Sequence, residues 1–161
     1  MSRYLVLVLL PLATFQGGCQ GGRSSSNPPG PTPLPTKDEV ALVDGVPITL
    51  TAFERVRTSL PDADTDTVYW VTVAAAVLHA EAARGPRPIP IGEAVGIARY
   101  AAGRSEPAAI REAAARFLSG NGAAASPSPP SRKTVRERLD GLIRAANIKK
   151  NTAILSNLKY K

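Results

Sequence analysis

The chain has 161 residues, 43% of them hydrophobic, and a formal net charge of +7, but only three Phe and one Trp. This length and this supply of large side chains suffice for one modest core and exclude a large multi-layer fold. The single cysteine, Cys19, excludes an internal disulfide and a cysteine-cluster metal site. The single histidine, His79, excludes a histidine-rich metal site and most histidine-based catalysis.

Residues 1–18 have the pattern of an export signal. Arg3 supplies the positive charge, and an apolar stretch that is too short to span a bilayer follows it. Two glycines then precede Cys19, and this ending resembles a bacterial lipoprotein signal, in which cleavage leaves an acylated cysteine at the new N-terminus. The resemblance implies lipidation of Cys19. The alternatives are an ordinary secretory signal with a chance cysteine, or a buried free thiol.

Residues 19–36 predict a lipid-anchored tether. After Cys19 they are mostly Gly, Ser, Asn and Pro, a composition that cannot offset the entropy of ordering the chain. Two or three acyl chains, at about 0.8 kcal/mol per buried methylene, would give a stable membrane anchor. Gln20 replaces the Asp that retains lipoproteins at the inner membrane of enteric bacteria. We therefore expect an outer-membrane lipoprotein facing the periplasm, with the inner membrane as the alternative.

The stretch from Val40 to Glu54 predicts a β-hairpin that runs directly into a helix. Two apolar runs flank Asp44-Gly45, and this dipeptide readily adopts the positive φ angles of a tight turn. Thr51 stands three residues before a glutamate, which is the spacing of a capping box, so the helix is predicted to begin at Ala52.

The rest of the chain predicts a mainly α-helical module of five to six helices. The second helix is apolar around much of its girth, so we expect it to have neighbours on more than one side. A Pro-rich linker at 121–131 separates the last helices from the others. After the first helix, which ends near Ser59, the predicted segments are a helix from Asp64 to about Arg84, helices over Ile91 to Ala102, Glu106 to Ser119 and Val135 to Ala146, a short extended segment at Ile148 to Lys150, and a last helix capped by Asn151.

Two stretches of the sequence resemble segments of a known family. VALVDGVPITLTAFERV, in which Phe53 is the buried helix anchor, and LDGLIRAANIKKNTAILSNL resemble the segments before and after the isomerase domain of SurA/PrsA-like parvulin-type chaperones. Active members carry a parvulin domain between these segments, for which residues 120–134 leave no room. The resemblance implies a single chaperone module over 37–161 without isomerase activity. It also implies that Ile148 returns to the hairpin as a third strand beside the turn at Gly45.

Three aromatic residues are candidates for contact with a client protein. Tyr69 and Trp70 could form a binding lip, and Phe117 lies on the apolar side of the fourth helix. A lone Trp in a small domain is commonly a core residue, so burial of Trp70 is the alternative. His79 has no accompanying ligand or catalytic partner at helical spacing, and we assign it no role.

No metal or cofactor site is expected. Asp62, Asp64 and Asp66 alternate like the start of a calcium loop, but Thr67 and Val73 occupy the positions of the required glycine and glutamate. These aspartates are predicted to form a loop and a helix cap.

The C-terminal region is strongly basic. Residues 131–161 contain nine Lys and Arg but only two acidic residues. Because an exported protein rarely meets nucleic acid, we expect anionic lipids, acidic envelope polymers or acidic client segments as partners, and no nucleic acid. The alternative is a solvated surface that aids solubility.

Together these features predict a lipid-anchored, noncatalytic chaperone-like protein of the bacterial envelope. It would bind unfolded or extended protein segments through an apolar surface. The alternative is a structural accessory lipoprotein with one dedicated partner in a secretion or polysaccharide-export assembly. An enzyme is not expected, because no nucleophile and base, and no carboxylate pair, stand at a meaningful spacing.

Overall fold

A computed structural model describes residues 34–119 and 130–158. The predicted signal, Cys19, most of the tether and residues 121–129 of the Pro-rich linker lie outside the described residues. The described part contains six helices and three strands, which confirms the predicted helical module with a short hairpin. In chain order the elements are β1 (Glu39–Val43), β2 (Val46–Thr49), α1 (Leu50–Thr58), α2 (Thr65–Ala83), α3 (Ile91–Ala101), α4 (Ala108–Ser119), α5 (Arg132–Ala145), β3 (Ile148–Lys150) and α6 (Thr152–Leu158).

The hairpin turns at Asp44 and Gly45, as predicted. Their φ angles are 51° and 84°, and two consecutive positive φ angles are what a type I′ turn requires. Val43 pairs with Val46 across this turn in an antiparallel register. Gly45 is therefore needed for its backbone conformation, since an added Cβ would meet no atom within 4 Å.

The far end of the chain completes the sheet, in the order β2-β1-β3. Ile148 pairs with Val43, so the predicted third strand is confirmed. Asp44 closes this junction, because its N–H donates to the Asn147 carbonyl at 2.9 Å and its carboxylate accepts the Asn147 N–H at 2.9 Å. At the other end of β3 the Asn151 N–H donates to the carbonyl of Val40 at 2.9 Å.

Two predicted helix caps were wrong. Helix α1 begins at Leu50, and its cap is Thr49, whose hydroxyl oxygen accepts the N–H of Ala52 at 3.2 Å. Thr49 is the last residue of β2 and keeps extended backbone angles, so the helix starts directly where the strand stops. In the same way Ser131, and not Thr134, caps α5. The fourth helix starts later than predicted, at Ala108, and its first turn therefore excludes Glu106 and Pro107.

Helix α2 is the centre of the core, which agrees with its apolar character on all sides. It packs against α1, α3, α5 and both hairpin strands. Phe53 of α1, Ile97 of α3 and Leu139 of α5 are fully buried around it. The predicted anchor role of Phe53 thus fits its position, as it is the largest of the fully buried side chains. Within the described ranges no helix combines the length and the apolar character needed to cross a bilayer.

Candidate binding groove

An open groove with a volume of about 680 Å³ lies among the β-hairpin, α1, α2 and α3. We call it the groove throughout. Its lining is mainly apolar and comes from these four parts of the chain. Volumes of several hundred cubic ångströms with a mostly apolar lining are typical of ligand and peptide sites. The groove is therefore the candidate functional site.

Small residues give the groove its depth. On α2 the lining residues Ala75, Ala76, Ala80 and Ala83 have no side chain beyond Cβ, and Gly92 of α3 has none at all. An occupant can therefore approach the helix backbones closely. The α2 lining extends from Thr72 to Ala83, which corresponds to about 16 Å at a rise of 1.5 Å per residue.

Two large apolar side chains at the groove are open to solvent. Val46 is 63% exposed and Ile91 is 52% exposed, and both line the groove. Single exposed apolar residues are ordinary on protein surfaces, but apolar residues gathered along one concave surface mark an interaction site. Covering these two side chains would remove apolar area from water.

The charged residues that line the groove are basic. They are Arg55 and Arg99, and among the described lining residues none is acidic. Arg55 is exposed, and no carboxylate of the described chain lies within 4 Å of its guanidinium group. By contrast Arg57, two residues further on, pairs with Glu54 at 3.6 Å. The groove thus offers one uncompensated positive charge.

His79 has a structural contact at the rim of the groove. Its Nδ1 donates to the carbonyl of Ile89 at 2.7 Å, which ties α2 to the connection that leads into α3. The side chain is exposed. We therefore assign His79 a structural role, which is to hold α2 and the connection to α3 together beside the groove.

Arg99 is held by a buried carboxylate behind the groove. Its Nε lies 2.8 Å from Oε1 of Glu106, whose side chain is only 6% exposed. The N–H does not point along the line to this oxygen, so the contact is an ion pair without a hydrogen bond. Burial raises the pKa of the Glu106 carboxyl, and the Arg99 guanidinium partly opposes this increase. The 2.8 Å contact thus gives Arg99 a carboxyl partner, whereas Arg55 has none among the described residues.

β2 is an edge strand of the sheet and borders the groove. Val43 and Val46 flank the two-residue turn and form a hydrogen-bonded pair. Because such pairs alternate along the ladder, the backbone groups of the next residue, Pro47, point away from β1 to the free side of β2, where proline offers no N–H. Pro47 also lines the groove. A strand added here would lack one ladder hydrogen bond, so this edge is protected against strand addition.

The three aromatic residues that are predicted to bind a client do not line the groove and contact other parts of the fold. The indole N–H of Trp70 donates to Asp140 at 2.8 Å, and the Arg136 guanidinium lies 3.7 Å from the centre of its ring. Lys150 lies 4.6 Å from the ring centre of Tyr69. Burial raises the pKa of the Tyr69 phenol above its usual 10.0.

Phe117 is half-buried and packs against the core from α4. It therefore joins Tyr69 and Trp70 outside the groove lining. Sequence reasoning missed Val46, Ile91 and Arg55 as site residues. The available signal was α3 itself, because Ile91 and Val95 extend the apolar face that contains the buried Ala94 and Ala98, and both line the groove. An apolar face that is wider than one packing contact predicts a second contact.

Part of the basic C-terminal region is used within the fold. Besides Arg136 on Trp70, the Arg132 guanidinium lies 5.5 Å from the ring centre of Tyr100 and donates to the Gly103 carbonyl at 3.1 Å. The Tyr100 hydroxyl donates to the carbonyl of Pro130 at 2.7 Å. These contacts fix the start of α5 on the helical core.

Asp64 has the predicted capping role at the start of α2. Oδ1 of Asp64 accepts the N–H of Thr67 at 2.6 Å. Among residues 34–119 and 130–158 no three His, Cys, Asp or Glu side chains gather as a metal site would require.

No protein-family model, curated protein or solved structure matches this chain. The resemblance to SurA/PrsA-like chaperones therefore stays a prediction from the two sequence stretches that carry it.

Proposed function

We propose that the protein is a noncatalytic, chaperone-like binding protein of the bacterial envelope, anchored to the membrane through acylated Cys19. Its groove would hold an apolar segment of an unfolded or partly folded envelope protein. The observation that carries this proposal is the open groove of about 680 Å³, at which Val46 and Ile91 are 63% and 52% exposed. An apolar concave surface of this kind is stabilised by an apolar occupant.

The size of the groove supports weak, reversible binding. Complete burial of a Val or Ile side chain contributes about 1.5–3 kcal/mol, and Val46 and Ile91 begin partly covered. Association opposes this gain with several kcal/mol of lost translational and rotational freedom. A holding activity needs this balance, because a client that is bound tightly would not be released to fold.

Acylation of Cys19 would keep the groove at the membrane surface, where newly exported proteins pass. The predicted location is the periplasmic side of the outer membrane, with the inner membrane as the alternative. A direct test compares the wild-type protein with Cys19→Ser. We expect metabolic labelling with a radioactive fatty acid to mark the wild-type protein only, and equal labelling of both would contradict the assignment of Cys19.

The groove is tested by filling it with a large side chain. Ala80 lines the groove on α2, whereas Ala109 is exposed on α4 and is not part of the lining. We expect Ala80→Trp to abolish the suppression of aggregation of a urea-unfolded outer-membrane protein that is diluted into buffer. Ala109→Trp is the matched control, because it adds the same side chain to an exposed helix outside the groove.

Two outcomes of this experiment would contradict the proposal. The wild-type chain could fail both to slow aggregation and to crosslink to any unfolded client. Alternatively, Ala80→Trp and Ala109→Trp could suppress aggregation equally well, which would place the client elsewhere. Circular dichroism of both variants must first show the wild-type helix content, so that loss of activity reports on the groove.

A second candidate function is an accessory lipoprotein with one dedicated partner in an envelope secretion or polysaccharide-export assembly. The observation that favours it is the preformed groove, whose length of about 16 Å along α2 suits one defined segment. Affinity purification from crosslinked cells separates the two functions. One partner in stoichiometric amount supports the accessory role, and many partners in small amounts support the chaperone role.

A further inference from the structure

We propose that the occupant of the groove is an amphipathic helix of another protein that presents a carboxylate to Arg55. This inference rests on the proposed function only in taking the groove as the binding site. It adds the conformation of the bound segment and the sign of its charge. Three features of the groove support it: its charge, its neighbouring strand edge and its dimensions.

The charge of the groove selects an acidic partner. Arg55 and Arg99 line it, and no acidic residue belongs to the described lining. Arg99 already faces Glu106 at 2.8 Å, so Arg55 is the cation that a partner can neutralise. Oppositely charged groups across an interface favour the right partner and penalise a like-charged one.

The strand edge beside the groove disfavours an extended occupant. A bound strand would have to pair with β2, where Pro47 provides no N–H. Its backbone N–H and C=O groups would then be covered by apolar side chains without full pairing, which is unfavourable. A helix pairs its own backbone groups and needs only an apolar face.

The dimensions of the groove fit a short helix. The lining of α2 from Thr72 to Ala83 spans about 16 Å, equal to about three helical turns. Small side chains such as Ala76 and Ala80 allow another helix to approach closely, within the usual interaxial distance of about 8–10 Å. Apolar residues of the occupant at positions i, i+3, i+4 and i+7 would cover Val46 and Ile91.

The test uses three fluorescent synthetic peptides of equal length. The first is an amphipathic helix with glutamates at the borders of its apolar face, and the second has lysines in the same places. The third has the composition of the first with alternating apolar and polar residues, which favours a strand. Binding is measured by fluorescence anisotropy to the full chain carrying Cys19→Ser, which cannot be acylated.

We expect the glutamate helix to bind about tenfold more tightly than the lysine helix, because attraction to Arg55 becomes repulsion. Arg55→Glu should reverse this preference. Arg57→Glu is the matched control, since Arg57 lies on the same helix but pairs with Glu54 outside the groove lining. It should leave the preference unchanged. The strand-patterned peptide should bind more weakly than the glutamate helix.

The inference is overturned if the two helices bind equally, if Arg55→Glu changes nothing, or if the strand-patterned peptide binds most tightly. A concentration-dependent dimer that Ala80→Trp abolishes would identify a second copy of the chain as the occupant, and would also overturn it. These results leave the proposed function intact if the wild-type chain still suppresses aggregation of an unfolded client and Ala80→Trp does not. Loss of client binding together with retained peptide binding would instead remove the chaperone role and keep the helix partner.

Discussion

The two strands that flank β1 differ in their surroundings. Around β3, side chains and backbone of Asp44 and Asn151 tie the end of the chain to β1 through several hydrogen bonds of 2.9–3.0 Å. Beside β2, Val46 is 63% exposed, and Arg55 of the following helix lacks a carboxylate partner among the described residues. The junction of β1 and β3 is thus held by internal bonds, whereas the surroundings of β2 keep groups that a partner can cover.

This contrast separates variants that unfold the protein from variants that affect only binding. Changes at β1, β3 or the core beneath them should lower the free energy of unfolding. Changes at the groove should leave it nearly unaltered and act on the affinity for an occupant. The following predictions test this division, beginning with the largest expected effect.

Phe53→Ala should have the largest effect on stability. Phe53 is 0% exposed and is the largest of the fully buried side chains. Its truncation removes apolar contacts and leaves a cavity, which together cost about 3–5 kcal/mol. Urea unfolding followed by circular dichroism measures this loss. The exposed Val46→Ala is the control and should stay within about 0.5 kcal/mol of the wild type. A loss below 1 kcal/mol for Phe53→Ala would contradict the assigned core.

Lys149→Pro should destabilise the protein more than Ile148→Pro does. Asp44 bonds to Asn147, and Asn151 bonds to Val40. Hydrogen-bonded pairs alternate with non-hydrogen-bonded pairs along the ladder, so Lys149 forms a hydrogen-bonded pair with Leu42, whereas the N–H of Ile148 points away from β1. Proline at 149 removes a ladder N–H and leaves the Leu42 carbonyl unpaired, at a cost of roughly 1–3 kcal/mol.

Ile148→Pro keeps that ladder bond and loses mainly side-chain packing. The two proline variants therefore form a matched pair in adjacent residues of one strand. Thermal unfolding of both measures the difference. Equal midpoints, or a lower midpoint for Ile148→Pro, would contradict the register of β3.

Local sequence signals were sufficient to predict the main elements of the fold. Asp44-Gly45 predicted the hairpin because few other dipeptides adopt two positive φ angles, whereas the return of the extended segment Ile148 to Lys150 as a third strand was implied by the resemblance to the chaperone family. The caps at Thr49 and Ser131 were missed for a physical reason. Spacing to a later glutamate identifies a possible capping box, but the end of the preceding extended segment decides which hydroxyl caps the helix.

The groove could not be predicted in the same way. Its lining combines residues of the hairpin and three helices, and the alanines among them carry no distinctive pattern. The aromatic residues that looked suited to binding have intramolecular partners, as the bond from Trp70 to Asp140 illustrates. Only the wide apolar face of α3, which includes Ile91 and Val95, indicated an additional contact.

Ile91→Ser should affect binding and not stability. Ile91 is 52% exposed at the groove, so its replacement should change the free energy of unfolding by no more than about 0.5 kcal/mol. The lost apolar contact should weaken the glutamate-helix peptide several-fold, as measured by fluorescence anisotropy. Leu34→Ser is the control, because Leu34 is 77% exposed and is not part of the groove lining. Equal affinities for the two variants would contradict a role of Ile91 in binding.

The smallest effect is expected from Glu106, whose carboxyl group is buried beside Arg99. Burial raises the pKa of Glu106 above its ordinary value of 4.5, against the opposing attraction of Arg99. Folding therefore favours the protonated form of this group. Its contribution to stability is fully present below pH 4.5 and is lost as the pH rises through the raised pKa.

Glu106→Gln should remove this part of the pH dependence. Measured by urea unfolding from pH 4 to pH 7, the stability of the variant relative to the wild type should increase with pH. Glu112→Gln on α4 is the control, since Glu112 is exposed, and its difference from the wild type should be flat over that range. If Glu106→Gln instead becomes relatively less stable as the pH rises, the attraction of Arg99 outweighs the burial of Glu106. In that case Arg99 would be bound even more firmly behind the groove, and Arg55 would still be the cation left for an acidic partner.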